Sequence, residues 1–195
     1  MINFEYPQGA TPIDPGEIEG LLLTHITTRS ELDRWEQDNI NEALAWVETH
    51  KPKDILNEPF MKMLHNKMFC NVWKWAGKFR RTEKNIGVSW YNISVELKKL
   101  CDDVEYWIKN KTFPDDEIAA RFHHRLVSIH LFPNGNGRHA RLAADILLEH
   151  VLNKPPFTWG NANLVKSGRD RKRYIESLVT ADRGDYKNLL EFARS

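Results

Sequence analysis

The stretch from His130 to Arg141 constrains the fold more than any other part of this chain of 195 residues. It reads His-Leu-Phe-Pro-Asn-Gly-Asn-Gly-Arg-His-Ala-Arg, and apolar residues at helical spacing lead into it and out of it. Pro133 prevents the first helix from continuing, and the glycines permit a backbone with positive φ. We therefore expect a tight loop between two buried helices.

The same loop has the features of an anion-binding site. A helix that begins at a loop offers unpaired N–H groups and the positive end of its dipole. Arg138 and Arg141 are three residues apart and share a helix face, where their guanidinium groups can grip phosphate. His130, just before the loop, can move a proton near neutral pH. A helix C-terminus favours the charged imidazolium, which could not act as a base. We therefore expect the surroundings of His130 to keep the ring neutral or nearly so.

These residues resemble the signature of the Fic/Doc family, in which a histidine is followed at fixed spacing by Phe, an acidic residue, Gly-Asn-Gly-Arg and a second Arg. The matching residues are His130, Phe132, Gly135, Asn136, Gly137, Arg138 and Arg141. The whole chain is similar to the subgroup called mobile mystery protein B. The resemblance implies an all-α fold, a Fic-type helical bundle with a short β-hairpin flap. It also implies transfer of AMP from ATP to a Ser, Thr or Tyr hydroxyl of a target protein.

The resemblance also implies roles for individual residues. His130 is the expected catalytic base, assisted by Asn136 and Arg138. The expected nucleotide-binding residues are Gly135, Asn136, Gly137, Arg138 and Arg141. The acidic residue that helps to hold Mg²⁺ in the family is replaced here by Asn134, whose uncharged amide oxygen is a weaker ligand for a hard cation. Tyr174 is our candidate for stacking on adenine, with core packing as the alternative.

A second predicted element is the segment from Lys78 to Tyr91, which loses helical periodicity. Its Asn85-Ile86-Gly87-Val88 sequence predicts a hairpin or an irregular extended loop. In the family this position is the flap, whose edge pairs with the target segment as an added strand. An ordinary surface hairpin is the alternative interpretation.

The N-terminal residues predict an extended arm followed by a short helix that opens at Asp14-Pro15-Gly16-Glu17. Glu19-Gly20 partly matches the family's inhibitory motif, although Pro15 stands where that motif has Ser or Thr. As an inhibitor, Glu19 would pair with Arg141; the alternative is a solvated glutamate. We predict an N-terminal arm with this candidate inhibitory helix over residues 1–28 and a Fic domain over residues 29–195.

The remaining patterns predict structural helices. Ser30 and Asp33 predict the start of a helix that runs to about His50, with an apolar face made of Leu32, Trp35, Ala43, Leu44 and Val47. His65 is interpreted as a surface or satisfied polar residue, and His123 and His124 as packed or hydrogen-bonded residues, rather than as metal ligands. The basic cluster of Arg169, Arg171, Lys172 and Arg173 favours a solvated helix start over a phosphate or nucleic-acid site.

Composition limits the environment and the partners. The formal net charge of +1 gives no reason to expect nucleic acid or an anionic membrane as a partner. Two distant cysteines favour a reduced, cytoplasmic setting. We expect neither a signal peptide nor a membrane-spanning segment.

Two other classes of function remain open. A non-catalytic interaction module would keep the fold and use the flap and the arm to hold a partner, and Asn134 supports this class. An enzyme of the same fold could instead transfer phosphate or remove AMP.

Overall fold

A computed structural model of the chain describes residues 11–161, 164 and 168–195. These residues form eight α-helices and no β-strand, and one isolated antiparallel bridge pairs Leu21 with Trp73. The helices are α1 (Pro15–Ile18), α2 (Arg29–His50), α3 (Glu58–Phe69), α4 (Ile93–Asn110), α5 (Asp115–Ile129), α6 (Asn136–Ile146), α7 (Arg169–Ala181) and α8 (Lys187–Arg194). Short 3₁₀ turns lie at Trp90–Asn92 and Trp159–Asn161, and a π-helical turn, Leu147–Val151, continues α6.

Helices α5 and α6 form the centre of the bundle and confirm the predicted pair of buried helices. Their facing apolar residues are almost fully buried, among them Phe122, Leu126, Ala140, Ala143 and Ile146. Helix α5 ends at His130, which takes a left-handed conformation with φ 59°. Helix α6 begins at Asn136 after a left-handed Gly135. The loop between them is thereby fixed at both ends.

Helix α2 starts two residues earlier than the sequence predicted, because its cap is Thr28 and not Ser30. Thr28 accepts a hydrogen bond from the Glu31 N–H at 3.2 Å, and the Glu31 carboxylate accepts one from the Thr28 N–H at 3.0 Å. This reciprocal pair is a capping box, which satisfies two backbone donors at once. It explains why Thr28, rather than Ser30, caps the helix.

Of the two forms predicted for the flap, the β-hairpin was wrong and the structure has the irregular loop. Residues 80–88, which we call the flap loop, form no strand. Their backbone pairs with the end of α5 instead: the Arg80 N–H donates to the Leu131 carbonyl at 3.0 Å and the Val88 N–H donates to the Ile129 carbonyl at 3.3 Å. The buried Arg80 side chain donates to the Thr82 and Val88 carbonyls, which a hairpin ladder would otherwise have to satisfy.

Residues 11–28, which we call the N-terminal segment, pack on the bundle. Ile13, Leu21 and Ile26 are buried in the core. The Leu22 N–H donates to the Val72 carbonyl at 2.9 Å, and the Lys74 N–H donates to the Gly20 carbonyl at 2.8 Å. The predicted arm over residues 1–10 lies outside the described residues, and the predicted boundary at residue 28 stays a prediction. No helix in the described ranges is both long and apolar enough to cross a bilayer.

Candidate active site

A cleft of about 530 Å³ opens where the α5–α6 loop, the flap loop and helix α7 meet. It brings together most of the residues that the sequence singled out. Those that line it are Ile86, Gly87, His130, Asn134, Gly135, Asn136, Gly137, Arg138, Arg141 and Tyr174. Of the other predicted residues, Asn85, Val88 and Glu19 do not line the cleft.

The loop at the floor of the cleft is held rigid by its own side chains and by helix α3. The Asn136 amide oxygen accepts from the Phe132 N–H at 2.9 Å, and its NH₂ group donates to the Phe132 carbonyl at 2.8 Å. His65 accepts from the Gly77 N–H at 3.0 Å through Nδ1, so Nε2 carries the proton that it donates to the Asn134 carbonyl at 3.1 Å. His65 is therefore the satisfied polar residue that the sequence analysis allowed, and it is fully buried rather than at the surface.

Gly135 is required by the geometry of this loop. Its φ of 78° lies in the left-handed region, and a Cβ atom there would stand 2.7 Å from the Phe69 ring. Gly135 offers no side-chain cap to helix α6. The N–H groups of the first turn of α6 have no acceptor within the helix. They belong to residues that line the cleft, where an anion can accept their hydrogen bonds.

His130 is buried against the flap loop, with 4% of its surface exposed. Neither ring nitrogen has a hydrogen-bond partner of normal geometry. Burial, together with the charges of Arg80 and Lys84, lowers the pKa of His130 to about 4, although a backbone contact with Val127 acts in the opposite direction. The ring is therefore neutral at pH 7 and able to accept a proton, in spite of its position at a helix C-terminus.

Arg80 is the residue that joins the flap loop to His130. Its Nε donates to the His130 carbonyl at 2.6 Å, and a second nitrogen reaches the Ile129 carbonyl at 3.4 Å. Gly87 packs against both partners, because a Cβ atom there would lie 2.6 Å from the Arg80 guanidinium and 2.8 Å from the His130 Cβ. The flap loop thus packs against the start of the His130 side chain.

The two signature arginines are oriented by partners on different helices. Arg138 donates to the buried carboxylate of Glu36 at 2.8 Å, and Glu36 also accepts from the Trp73 indole at 2.7 Å. The Arg141 guanidinium carbon lies 5.5 Å from the centroid of the Tyr174 ring. Both arginines face the same cleft as the start of α6.

Tyr174 reaches the cleft but is mostly buried. Its hydroxyl lies 3.0 Å from His123 Nε2, and its ring lies 5.7 Å from that of Phe192. His124 Nε2 lies 2.8 Å from an Asp182 carboxylate oxygen. These contacts confirm that His123 and His124 serve packing and hydrogen bonding. The stacking role of Tyr174 stays a prediction, and its burial favours the packing role.

The loop does not form a dedicated magnesium site. The Asn134 amide oxygen accepts from the Gly135 N–H at 2.8 Å, and its NH₂ group donates to the Thr11 carbonyl at 3.1 Å. Within the described ranges, no group of three or more His, Cys, Asp or Glu side chains is placed to hold a metal. A hard divalent cation prefers charged oxygen ligands, and the amide of Asn134 is uncharged and already engaged. The residues present do not fit a resident Mg²⁺.

Glu19 is not brought to Arg141. It is exposed at the C-terminal end of α1 and does not line the cleft. The neighbouring Glu17 makes the contacts instead: its carboxylate pairs with Lys84 of the flap loop at 2.6 Å and accepts from the Thr82 hydroxyl at 3.2 Å. The inhibitory role of Glu19 stays a prediction without support from this geometry.

Several site residues were missed by sequence reasoning. Arg29 and Arg171 line the cleft, although Arg171 was interpreted as part of a solvated helix start. Glu36 and Arg80 are buried partners of the site. None of them lies in a motif, and only the tertiary structure shows that charged residues from α2, the flap loop and α7 meet at one place.

The fold and the cleft together define a helical protein in which a helix-opening loop lies beside a neutral histidine. Residues 55–148 match the model of the Fic/DOC family. These residues therefore form a Fic/DOC domain, as the sequence predicted. The assignment of the chain to the mobile mystery protein B subgroup stays a prediction.

Among curated proteins, the chain is similar to two that carry the name protein adenylyltransferase Fic. It is 30% identical over 120 residues to the one from Aedes aegypti, covering 60% of this chain and 22% of that protein. It is 27% identical over 171 residues to the one from Nematostella vectensis, covering 84% of this chain and 38% of that protein. The chain thus spans well under half the length of these relatives.

Among solved structures, the chain is similar to the BepC protein of Bartonella tribocorum with bound AMPPNP. The TM-score is 0.67 at 18% identity, and the match covers 88% of this chain and 88% of that chain. This likeness confirms the predicted Fic-type helical fold.

Proposed function

We propose that this chain transfers AMP from ATP to a Ser, Thr or Tyr hydroxyl of a target protein. The observation that carries the proposal is the neutral, buried imidazole of His130 beside a helix N-terminus and two arginines in one cleft. The names of the curated relatives and the nucleotide analogue in the BepC structure support the same class of reaction.

The proposed reaction uses this chain's own residues. His130 accepts the proton of the target hydroxyl, the hydroxyl oxygen forms a bond to the α-phosphorus of ATP, and the bond from that phosphorus to the bridging oxygen breaks. Pyrophosphate leaves with the electron pair. A well-placed base contributes roughly 10²–10⁴ in rate, and fixed donors at the developing charge can contribute a similar factor.

The phosphates are bound by the loop and by the first turn of α6. The N–H groups after Gly135 and Gly137 face the α-phosphate, together with the second N–H of the Asn136 amide, since only one of its two hydrogens is used within the loop. Arg138 and Arg141 bind the outer phosphates. The flap loop presents the target segment, with Ile86 and Gly87 at the cleft.

The proposed setting is the cytoplasm. Cys70 and Cys101 form no disulfide, and burial raises the pKa of the Cys101 thiol to about 12, so that thiol stays protonated. These two observations are compatible with a reduced compartment.

A second candidate function is supported by Asn134. Without a carboxylate in the loop, the fold could bind a nucleotide and hold a partner without transferring AMP. Incubation of the chain and a cell lysate with α- or γ-labelled ATP separates the classes. Label from the α-phosphate on protein supports the proposal. Label on protein from the γ-phosphate alone indicates phosphate transfer. The absence of label from either position supports the interaction module. Release of AMP from a modified target, with water as the acceptor, indicates removal of AMP.

A further inference from the structure

The wall of the cleft carries more positive charge than the signature provides. Four arginines line it, Arg29 from α2, Arg138 and Arg141 from α6, and Arg171 from α7. Asp182 is the only carboxylate among the described lining residues. Its side chain is 62% exposed and is already paired with His124. The cleft is therefore built for an anion with several charges.

The four guanidinium groups are close enough to affect one another. Burial lowers the pKa of Arg171, and the charges of Arg141, Arg29 and Arg138 lower it further, with Tyr174 opposing them. Part of this repulsion is offset on helix α2, where Asp33 pairs with Arg29 at 2.8 Å and Glu36 with Arg138 at 2.8 Å. Neither acidic side chain lines the cleft, so the charge that a ligand meets stays positive.

Arg171 is positioned as a binding residue rather than as a solvated one. It is half-buried at the first turn of α7, and its guanidinium donates to the Leu164 carbonyl at 2.5 Å. Its neighbours Arg169, Lys172 and Arg173 are exposed and do not line the cleft. Arg29 is likewise half-buried, whereas Arg34 on the same helix is exposed and outside the cleft.

We infer that Arg29 and Arg171 complete, with Arg138 and Arg141, a four-guanidinium site that binds the triphosphate of a nucleotide without a protein-held divalent cation. The inference rests on the proposed function for the identity of the ligand and extends it to the source of the positive charge that neutralises the phosphates. Asn134 is a weak ligand for a divalent cation, and the arginines neutralise the phosphates directly.

The test is calorimetric binding of ATP and AMP to the full chain, with Mg²⁺ and with a chelator. We expect ATP affinity to be nearly the same in both conditions. Arg29→Ala and Arg171→Ala should each weaken ATP binding about tenfold, the loss expected for a hydrogen bond between charged groups, and should weaken AMP binding much less. Arg34→Ala and Arg169→Ala are the matched controls and should bind ATP like the wild type.

Two results overturn the inference: loss of ATP binding in the chelator, or equal affinities for the cleft variants and their controls. Thermal unfolding shows whether each variant folds. If Arg171→Ala does not, Arg171→Lys keeps the charge but loses the planar fork, and it should still weaken ATP binding relative to Arg169→Lys. Asn134→Asp should make ATP binding depend on Mg²⁺, and an indifferent variant contradicts the role assigned to that position.

The inference and the proposed function can be overturned independently of each other. AMP transfer by a chain that binds ATP only with Mg²⁺ would leave the proposed function in place and overturn the inference. Chelator-resistant ATP binding without AMP transfer would do the reverse.

Discussion

At the scale of single residues, the chemistry depends on the charge of one imidazole. The helix C-terminus favours a protonated His130, whereas burial and two nearby cations disfavour it, and burial is the largest of these effects. Arg80 has a double role, since it holds the His130 carbonyl and also contributes to the low pKa of the ring. The requirement for a neutral His130 follows from the sequence. The burial and the nearby cations that make the ring neutral are visible only in the folded structure.

The His130 ring should stay neutral through the physiological range. Because its pKa is lowered to about 4, NMR titration of the ring in the resting protein should show no protonation above about pH 5.5. His130→Asn assigns the signal, since Asn tolerates the left-handed conformation better than most residues. A titration midpoint near that of free histidine would contradict the account.

Motif residues could be predicted because the loop is local in sequence. His130, Gly135 and Arg141 are set by spacing and by backbone geometry within a dozen residues. Arg80 and Glu36 could not be predicted in the same way, because a buried charge is stable only with partners that lie far away along the chain. Their partners, a helix C-terminus and a signature arginine, become visible only in the folded structure.

At the scale of elements, the N-terminal segment fastens the flap loop. Lys84 has only 3% of its side chain exposed and pairs with Asp14 at 2.7 Å and with Glu17 at 2.6 Å. The Thr11 carbonyl also accepts from Asn134 in the α5–α6 loop. One short segment thus contacts both loops that border His130, and its attachment sets how freely the flap loop moves.

Glu17→Gln should loosen the flap loop, because it leaves the buried Lys84 with one carboxylate fewer. We expect faster hydrogen exchange over residues 80–88 and a free energy of unfolding lower by about 1–2 kcal/mol. Glu19→Gln is the matched control, since that side chain is exposed and outside the cleft. Equal exchange in the two variants would remove Glu17 from this role. Faster AMP transfer by Glu19→Gly alone would instead support the inhibitory role predicted from the sequence.

The helices were predictable, whereas the flap was not. Helical periodicity located α2, α5 and α6, but it placed Trp35 and Leu44 on the apolar face of α2, where the structure exposes 44% and 41% of their surfaces. Helix α2 buries Glu36 and Asn39 instead, because other elements supply their hydrogen-bond partners. The flap resembles a hairpin in composition, yet a single buried arginine replaces its ladder of hydrogen bonds.

At the scale of the whole molecule, the core holds several neutral histidines. Burial is the main cause of the lowered pKa of four of them, which falls to about 3 for His123 and about 4 for His130 and His139, and well below the usual value for His65. Burial also raises the pKa of Asp145 to about 7. This carboxyl group therefore binds a proton in the folded protein at a pH where the unfolded chain does not, which is the opposite of the effect of the histidines.

The protein should lose stability as the pH falls from about 6.5 to about 4. In this window the unfolded chain binds protons on these histidines that the folded protein does not bind, and each proton contributes about 1.4 kcal/mol per pH unit. Asp145, protonated only in the folded state, offsets one of them. Thermal unfolding across this range should show a steep fall of Tm with acid. A constant Tm would mean that the histidines are not buried as neutral rings.

The most direct test of the whole account compares AMP transfer by the wild type and by His130→Asn, using α-labelled ATP and intact-mass analysis of the products. We expect labelled protein with the wild type and a rate at least about 10²-fold lower with the variant, while the two bind ATP equally. Transfer by His130→Asn at the rate of the wild type would contradict the central claim.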